Sequence, residues 1–495
     1  MSAAQSPESL TLSTSCSESN RGASIGEPCD SAAQPQLDRK PAPESVLELG
    51  VQRSVVQQLA LKTIHIAAPA TLLDLASEMR VEYSVALELY RELRSDQLIE
   101  TTGMRSNVPE IRLTSAGRSR ALALWAENQY VGAVPVPLED YVQQVQQQSL
   151  SGVKVHWPDI SRAFSHLVLE EQMLRQLGTA LNSGAPILLY GPPGEGKTAI
   201  ATTLSRVLSE RPVWIPFALQ VHGQTISIYD PHIHRQINNI TPEDSDPRWL
   251  ACERPAVIVA GELIPESLEL QLNALTNLYD APLQLKANNG VLVIDDFGRQ
   301  RMLPEELLNR WVYPLERRVD FLTLAGGKKV AFPFDLLVVF ATNLNPLQLG
   351  DEAFLRRLQT KIEVPGISPP RFREICSRLC RQWGIPFEAG VIDEMIDLIQ
   401  HKKGYPLRAC HPRNIFNQIR WAADFEQREP ALDRDSLVAA IDTYFISHDA
   451  ERDSLSAHCG VPAPPAPAYR PGARAVVPRN DQPSRTGTAE RRAGV

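Results

Sequence analysis

The sequence predicts an α/β fold with a parallel-sheet core, and two stretches carry this prediction. In the first, the apolar run Ala185–Tyr190 leads into a glycine-rich loop, and the helical pattern Ala199–Leu208 follows. In the second, the apolar run Gly290–Ile294 ends in two adjacent acids, as expected of a central strand covered on both faces. The rest of the chain predicts an α+β domain before this core, a helical lid after it, and disordered tails at both ends.

Composition restricts the class of protein. The chain has 495 residues, of which 43% are hydrophobic and 22% are charged, as in globular proteins with several domains. Its formal charge of −8 argues against a surface that binds nucleic acid generally. No apolar run approaches the roughly 18 residues of a membrane span, and residues 1–25 are too polar for a signal peptide. Seven scattered cysteines, an odd number, do not predict a disulfide framework, so we expect a cytoplasmic protein.

Two groups of residues contain cysteine or histidine side chains of the kind that bind metal ions. Cys376 and Cys380 lie four apart on a predicted helix, and Cys410–His411 follow further along the chain. His232 and His234 lie in a polar stretch without a matching set of cysteines or carboxylates. Buried cysteine usually acts as a small hydrophobic residue, and loop histidines rarely bind metal without further ligands. We therefore predict no metal site at either group.

Residues 47–128 predict a small domain between a disordered tail, residues 1–46, and a linker, residues 129–156. Its pattern is three helices, two strands and a closing helix. The predicted elements are the helices Val51–Ile66, Ala70–Met79 and Tyr83–Gln97, the strands Leu98–Thr102 and Glu110–Thr114, and the helix Ser115–Leu124. This order resembles a winged helix, with Tyr83–Gln97 in the place of the recognition helix and residues 103–109 as the wing.

The predicted recognition helix carries more acid than base. Because the acids outnumber the arginines where DNA phosphates would approach, docking of a protein is favoured over binding of DNA. The charged residues are Glu82, Glu88, Glu92, Asp96, Arg91 and Arg94.

The α/β core is predicted over residues 157–365, the helical lid over residues 366–450, and a tail rich in proline and arginine over residues 451–495. In the core, the polar stretch Val221–Glu253 predicts an insertion or surface loop, and Ala325–Lys328 predicts the turn of a hairpin. The other predicted elements are helices at Leu169–Ser183, Glu266–Leu278 and Pro304–Leu315, strands at Arg211–Leu219 and Leu336–Asn343, and lid helices near Arg371–Gln382, Ala389–His401, Pro412–Gln427 and Arg434–Ile446.

Gly191–Thr198 has the composition of a loop that holds phosphate. Its glycines let successive backbone N–H groups turn towards phosphate oxygens, and the following helix directs the positive end of its dipole at them. Lys197 is expected against the β- and γ-phosphates, and the Thr198 hydroxyl on Mg²⁺. The residues predicted to bind nucleotide here are Gly191, Pro192, Pro193, Gly194, Glu195, Gly196, Lys197, Thr198 and Ala199.

Asp295 and Asp296 end the second apolar run, at the edge of the sheet where ligands bind in open α/β folds. A triphosphate bound with magnesium needs a carboxylate on a neighbouring strand, and we assign this role to Asp295. Asp296 would then orient and polarise the attacking water. The two motifs together predict a P-loop nucleoside triphosphatase core.

The motifs continue with the strand that ends in Ala341–Asn343, the segment Asp351–Leu358 and a helical C-terminal subdomain. In this order they resemble AAA+ ATPases over residues 157–450. The hairpin before Ala341 is similar to the insert of MoxR-like members. Three further segments are similar to a branch described as having chaperone activity, namely Arg254–Glu262, Tyr279–Asn288 and Asp296–Gln300.

The resemblance implies ATP as the nucleotide and a ring, usually of six subunits, that acts on a macromolecule. It implies that Asn343 is a first sensor of the γ-phosphate and that Arg356 or Arg357 is a finger delivered to the neighbouring subunit. Arg413 would be the second sensor, with Arg408 as its competitor. Most members have glutamate where this chain has Asp296, so nucleotide binding is implied more firmly than turnover.

Two functions agree with these observations. The first is an oligomeric, chaperone-like ATPase that remodels or assembles a protein partner, with the winged helix as a docking module. The second is a regulator that binds DNA through the winged helix and uses the nucleotide as a switch. The acidic recognition helix favours the first. A P-loop kinase acting on a small molecule would lack Asn343, the arginines and the lid.

Overall fold

The structure is a computed structural model that describes residues 41–66, 68, 71–209, 211–237, 245–349 and 355–446. Contacts divide the chain into two units. The first unit holds the chain up to Leu379 together with Leu407–Pro412, and the second holds Cys380–Pro406 and the chain from Arg413 onward. The predicted tails lie outside the described residues, apart from residues 41–46 at the end of the first one.

The helices and strands of the described residues are numbered here in chain order. The α-helices are α1 (Arg53–Ile66), α2 (Leu72–Met79), α3 (Tyr83–Ser95), α4 (Ser115–Glu127), α5 (Leu138–Gln147), α6 (Trp157–Ala163), α7 (Glu171–Ser183), α8 (Lys197–Ser209), α9 (Leu283–Lys286), α10 (Pro304–Arg317), α11 (Pro369–Trp383), α12 (Ala389–Asp397), α13 (His411–Phe425) and α14 (Arg434–Tyr444). The strands are β1 (Ile99–Arg105), β2 (Val108–Leu113), β3 (Val136–Pro137), β4 (Ile187–Tyr190), β5 (Val213–Pro216), β6 (Ala218–Val221), β7 (Gln224–Ser227), β8 (Trp249–Cys252), β9 (Ala256–Val259), β10 (Gln271–Asn273), β11 (Leu278–Asp280), β12 (Val291–Ile294), β13 (Val319–Thr323), β14 (Lys329–Pro333), β15 (Leu337–Thr342) and β16 (Thr360–Glu363).

The N-terminal helices α1–α4 and the hairpin β1–β2 share one hydrophobic core, so the elements predicted over residues 51–124 are confirmed with shifted ends. Helix α2 begins at a capping box, in which Thr71 and Asp74 satisfy each other's backbone N–H groups. It ends at Arg80, whose φ of 52° lies in the left-handed region. Val46 belongs to this core and is 1% exposed, so the ordered domain begins inside the segment predicted as a tail.

Five parallel strands form the central sheet of the first unit, in the order β16–β4–β15–β12–β9. Their side chains alternate between two covered faces. Leu292 packs with Trp311 of α10 on one face, and Val293 packs with Ile200 of α8 on the other. Each such buried side chain contributes about 1.5–3 kcal/mol, which explains why these strands are apolar throughout. Because all five strands run in one direction, the carboxyl ends of β4, β15 and β12 lie side by side.

The region between β4 and β9 differs from the prediction in two places. Arg211–Leu219 is not one strand of the central sheet, because it contains β5, which pairs antiparallel with β8, and the start of β6. The stretch Val221–Glu253 is not simply a loop, since β7 and β8 lie in it. Strands β10, β11, β7, β6 and β3 form a second sheet in that order.

The helix predicted at Glu266–Leu278 was also wrong. This segment forms a short 3₁₀ helix, Pro265–Leu268, and then the antiparallel strands β10 and β11. Asn273 closes the turn between the strands, since its side chain accepts hydrogen bonds from the N–H groups of Leu275 and Thr276. The segment therefore belongs to the edge of the second sheet.

The hairpin predicted around Ala325–Lys328 is confirmed as β13 and β14. Asp320 on β13 is buried and is bound by Arg310 of α10 through two nitrogen–oxygen contacts of 2.6 and 3.2 Å. Gln284 of α9 donates to the same carboxylate at 3.0 Å. These contacts fix the hairpin to α10 just before the chain enters β15.

The helices predicted after residue 366 are confirmed as α11–α14, and a π-helical turn, Leu398–Lys402, continues α12. Cys376 and Cys380 are buried on α11. In the part of the chain that the structure describes, no group of three or more His, Cys, Asp or Glu residues could hold a metal ion. None of the described helices has the length and apolar character needed to cross a membrane.

Candidate functional site

The loop between β4 and α8 depends on glycine at three positions. Gly191, Gly194 and Gly196 have φ values of 146°, 82° and 86°, which L side chains rarely adopt. A Cβ atom on Gly191 would also lie 2.2 Å from the Val364 carbonyl oxygen, and one on Gly194 would lie 2.7 Å from the Cys410 sulfur. The loop can therefore hold this shape only with glycine at these positions.

Lys197 is the first residue of α8, and its side chain folds back into the loop. Its Nζ donates hydrogen bonds to the carbonyl oxygens of Gly191 at 2.9 Å and Pro192 at 2.7 Å. Burial lowers the pKa of this ammonium group below its usual value, while the charges of Asp296, Glu195 and Asp295 act in the opposite direction. The positive charge thus lies at the N-terminus of a helix, where an anion is already favoured.

The predicted magnesium ligands lie together. The Thr198 hydroxyl donates to Oδ2 of Asp295 at 2.6 Å, and the Asp295 N–H is held by the Val259 carbonyl of β9 at 2.8 Å. Both side chains offer oxygen, the donor that Mg²⁺ prefers. Since protein magnesium sites usually supply one or two ligands and leave the rest to phosphate and water, these two residues fit the ion.

Asp296 and Asn343 also meet, across the ends of neighbouring strands β12 and β15. The Asn343 Nδ2 donates to Oδ1 of Asp296 at 2.8 Å. Asp296 has a φ of 47°, in the left-handed region that aspartate tolerates better than most residues. This backbone turn aims the short carboxylate at Asn343, so two of the predicted catalytic residues form one hydrogen-bonded pair.

Gln300 was not among the predicted site residues, but it stabilises the turn that carries both acids. Its Nε2 donates to the Asp295 carbonyl at 2.9 Å, and its Oε1 accepts from the N–H of Gly298 at 2.8 Å. The sequence contains a signal for Gln300, because this residue ends the segment Asp296–Gln300, which resembles the branch with chaperone activity.

The short segment Leu407–Pro412 contacts the glycine loop within the first unit. The N–H of Cys410 donates to the Gly194 carbonyl at 3.0 Å, and the N–H of Ala409 donates to Oε2 of Glu195 at 3.4 Å. Glu195 is only 6% exposed, and burial raises the pKa of its carboxyl group. Hydrogen bonds from the N–H groups of Ala409 and Ile367 act against this increase. Sequence reasoning missed this contact because it joins residues far apart in the chain.

The two alternatives for the second sensor lie in different units. Arg408 belongs to the first unit, and its Cδ lies 3.2 Å from the position that a Cβ atom on Gly194 would take. Arg413 lies on α13 in the second unit. Arg408 therefore lies beside the glycine loop. The role of Arg413 as the second sensor stays a prediction.

Arg356 and Arg357 lie apart from the glycine loop. They line a cavity of about 620 Å³ together with Ala185 and Pro186, which precede β4, whereas the loop follows β4. The Arg357 Nε contacts Oε1 of Glu316 at 2.6 Å. Both arginines therefore lie beside the end of β4 that is opposite to the glycine loop.

Three comparisons relate the chain to known proteins. A family model described as a domain of unknown function (DUF8689) matches residues 368–443, which fall on the helices α11–α14. A vesicle-fusing ATPase of Caenorhabditis elegans is 28% identical over 181 residues, which cover 33% of this chain and 20% of that protein. The chain thus spans about a fifth of the length of this curated relative.

Solved structures align only loosely. NtrX of Brucella abortus in complex with ATP aligns over 64% of this chain and 64% of its own, with 14% identity and a TM-score of 0.35. RuvB of Thermotoga maritima, a Holliday junction branch migration motor, aligns over 56% of this chain and 69% of its own. Its identity is 16% and its TM-score is 0.32.

Proposed function

We propose that this chain is an AAA+ ATPase that binds and hydrolyses ATP with Mg²⁺ in order to remodel or assemble a protein partner. One observation carries the proposal: Lys197, the pair Thr198–Asp295 and the pair Asp296–Asn343 lie at the ends of three adjacent strands. A cation, two oxygen ligands and a polarising carboxylate are the groups that phosphoryl transfer to water requires. The similarity to a vesicle-fusing ATPase supports the choice of ATP.

Each group has a distinct task in this proposal. The backbone N–H groups of residues 191–198 and the Lys197 ammonium bind and orient the phosphates. Thr198 and Asp295 would hold Mg²⁺, which would neutralise charge on the phosphate oxygens. Asp296 accepts a proton from the attacking water, and its hydrogen bond with Asn343 fixes the direction of the carboxylate.

Arg356 or Arg357 would complete the site of a neighbouring subunit. They lie beside Ala185 and Pro186, at the end of β4 opposite to the glycine loop of the same chain. This position supports an action in trans. An arginine delivered in this way neutralises charge that develops on the transferred phosphoryl group. We therefore propose a homo-oligomeric ring, of six subunits by resemblance.

The substitution Asp296→Asn tests the catalytic assignment. It keeps the shape of the side chain and an acceptor for Asn343 but removes the charge, so ATP should still bind while the rate of phosphate release falls by about 10²-fold or more. Binding of a fluorescent ATP analogue and release of phosphate measure the two effects. Asp320→Asn is unsuitable as a control because Asp320 is buried, whereas Asp159→Asn, on the helix α6, is a suitable one. Wild-type turnover in Asp296→Asn would refute the assignment.

We propose that α1–α4 with the hairpin β1–β2 is a winged helix that docks the partner. DNA remains the second candidate, because one observation favours it. Glu88 and Glu92 contact Arg53 and Gln57 of α1, so these two acids do not lie where DNA would approach. The exposed charges on α3 and at its two caps are balanced, namely Glu82, Arg91, Arg94 and Asp96.

Titration of a fluorescent DNA duplex separates the two candidates. If α3 binds DNA, affinity falls steeply between low and moderate salt because phosphate contacts release counterions. If the domain docks a protein, no such binding is seen at either salt concentration.

A further inference from the structure

Helix α13 in the second unit carries an exposed aromatic pair. Trp421 and Phe425 are one helical turn apart, and they are 60% and 89% exposed. The opposite face of the same helix is buried through Phe416, Ile419 and Ala423. Single exposed hydrophobic residues are ordinary, but two large aromatic rings at i and i+4 form one continuous apolar surface. We call Trp421 and Phe425 the aromatic pair.

The chain leaves the described structure close to this pair. Ile446 is the last described residue, two positions after the end of α14. The Tyr444 hydroxyl accepts a hydrogen bond from Nδ2 of Asn414 at 3.0 Å, so the end of α14 lies beside the first turn of α13. At 1.5 Å per residue, Trp421 and Phe425 lie about 10 and 16 Å further along the helix.

The sequence beyond Ile446 contains a segment with matching chemistry. Val461–Pro471 holds two overlapping P-x-x-P patterns, Pro462–Pro465 and Pro464–Pro467, and ends in Tyr469-Arg470-Pro471. Proline-rich segments of this kind bind surfaces lined by aromatic rings, since their backbone conformation is already restricted and little entropy is lost. Residues 447–460 separate the segment from the described chain and can span up to about 50 Å. The segment therefore reaches the aromatic pair easily.

Charge also fits this occupant. Asp424 precedes Phe425 on α13 and is exposed, whereas Glu426, just after the helix, is paired with Arg428; Arg470 follows the proline patterns. A basic residue after the proline segment would thus meet Asp424 at the end of the aromatic pair. A separate protein with prolines and a basic residue would bind only in proportion to its concentration in solution. The linked segment is present at an effective concentration of about millimolar.

We propose that Val461–Pro471 docks on Trp421 and Phe425 of its own chain. The segment covers the apolar surface of the aromatic pair. This proposal concerns the second unit alone and does not depend on nucleotide binding.

Hydroxyl-radical footprinting with mass spectrometry tests the proposal on the full chain. The wild type is compared with a full-length variant in which the prolines of the two patterns are replaced, Pro462→Ala, Pro464→Ala, Pro465→Ala and Pro467→Ala. We expect Trp421 and Phe425 to be modified at least about threefold more slowly in the wild type. Arg470→Glu should give an intermediate rate. Phe387, which is 42% exposed in the same unit, is the internal control and should not change.

Two results would overturn the proposal. Equal modification of the aromatic pair in the wild type and the proline variant would mean that the segment does not cover it. Protection that disappears on dilution of the wild type would place a second copy of the chain on the pair instead. Protection that is independent of concentration and lost in the proline variant supports docking within one chain.

Discussion

At the level of single residues, the side chains of the candidate site are joined by hydrogen bonds. Asp296 illustrates this, because a shorter acid stands where the resembling family has glutamate. Its left-handed backbone and its hydrogen bond from Asn343 give the carboxylate a defined direction. Left-handed backbone costs a non-glycine residue about 1–2 kcal/mol, and such strain is often found at functional sites. We infer that backbone position compensates for the missing methylene group.

His411 gives the first prediction at this scale. It is 2% exposed, and burial together with the charge of Arg408 lowers its pKa to about 4. The folded state therefore favours neutral imidazole, so His411 destabilises the fold as the pH falls from its unfolded pKa towards 4. We expect this residue to lower the free energy of unfolding by about 2–3 kcal/mol between pH 7.5 and 4.5.

The variant His411→Asn isolates this contribution. Nδ1 of His411 accepts from the N–H of Arg408 at 3.3 Å, and an asparagine oxygen can replace that acceptor without titrating. Chemical denaturation of both proteins at the two pH values measures the difference. The wild type should lose more stability on acidification than the variant, and an identical loss in the two proteins would contradict the prediction.

At the scale of elements, the segment Leu407–Pro412 and the glycine loop are expected to act together. The substitution Glu195→Ala removes the acceptor for the N–H of Ala409, and a lost hydrogen bond of this kind costs about 1–1.5 kcal/mol. Because this bond helps to fix the shape of the glycine loop, we expect its loss to lower the affinity for ATP by up to about tenfold. Glu195→Gln retains an oxygen acceptor and should keep most of the affinity.

Anisotropy of a fluorescent ATP analogue measures both Glu195 variants. If Glu195→Gln is as weak as Glu195→Ala, the negative charge matters and the hydrogen bond does not. A thermal midpoint close to that of the wild type in both variants excludes general unfolding as the cause of weaker binding.

The elements that the sequence predicted well are those with local signals. The central strands are apolar throughout because both faces are covered, and the turn Ala325–Lys328 supplies the two glycines that a hairpin needs. The glycine loop and the acids after β12 are local motifs for the same reason. The loop and the acids lie at the same edge of the central sheet because its strands are parallel.

The wrong predictions concern structure that depends on distant partners. Glu, Leu, Gln and Ala in Glu266–Leu278 favour a helix by propensity, but the segment forms β10 and β11, which pair with each other and, through β11, with the distant strand β7. Strand β5 pairs with β8, which lies more than thirty residues later, and no local pattern identifies that partner. The contacts of Leu407–Pro412 with the glycine loop could not be predicted from the sequence for the same reason.

At the scale of the whole molecule, the separation of Arg356 from the glycine loop predicts that activity needs two chains. Lys197→Ala removes nucleotide binding in one chain, and Arg356→Ala with Arg357→Ala removes the finger in another. Each variant alone should lack turnover, and the arginine variant should still bind ATP. A 1:1 mixture should recover about one quarter of wild-type hydrolysis, since a random ring contains intact pairs of neighbours.

Recovery of ATP hydrolysis in the mixture is informative because misfolding of either variant could not produce it. Normal hydrolysis by the arginine variant alone would refute an action in trans. Two inactive variants that stay inactive when mixed would also refute it, provided that size-exclusion chromatography shows that they assemble together.

We propose that the glycine loop, the two acids and Asn343 form one site that binds ATP with Mg²⁺. Isothermal titration calorimetry of the full chain with ATP, in the presence of either Mg²⁺ or a chelator, measures this binding. We expect one binding site per chain, tighter binding with Mg²⁺, and loss of binding in Lys197→Ala. No heat of binding to the wild type, or equal binding by Lys197→Ala, would contradict it.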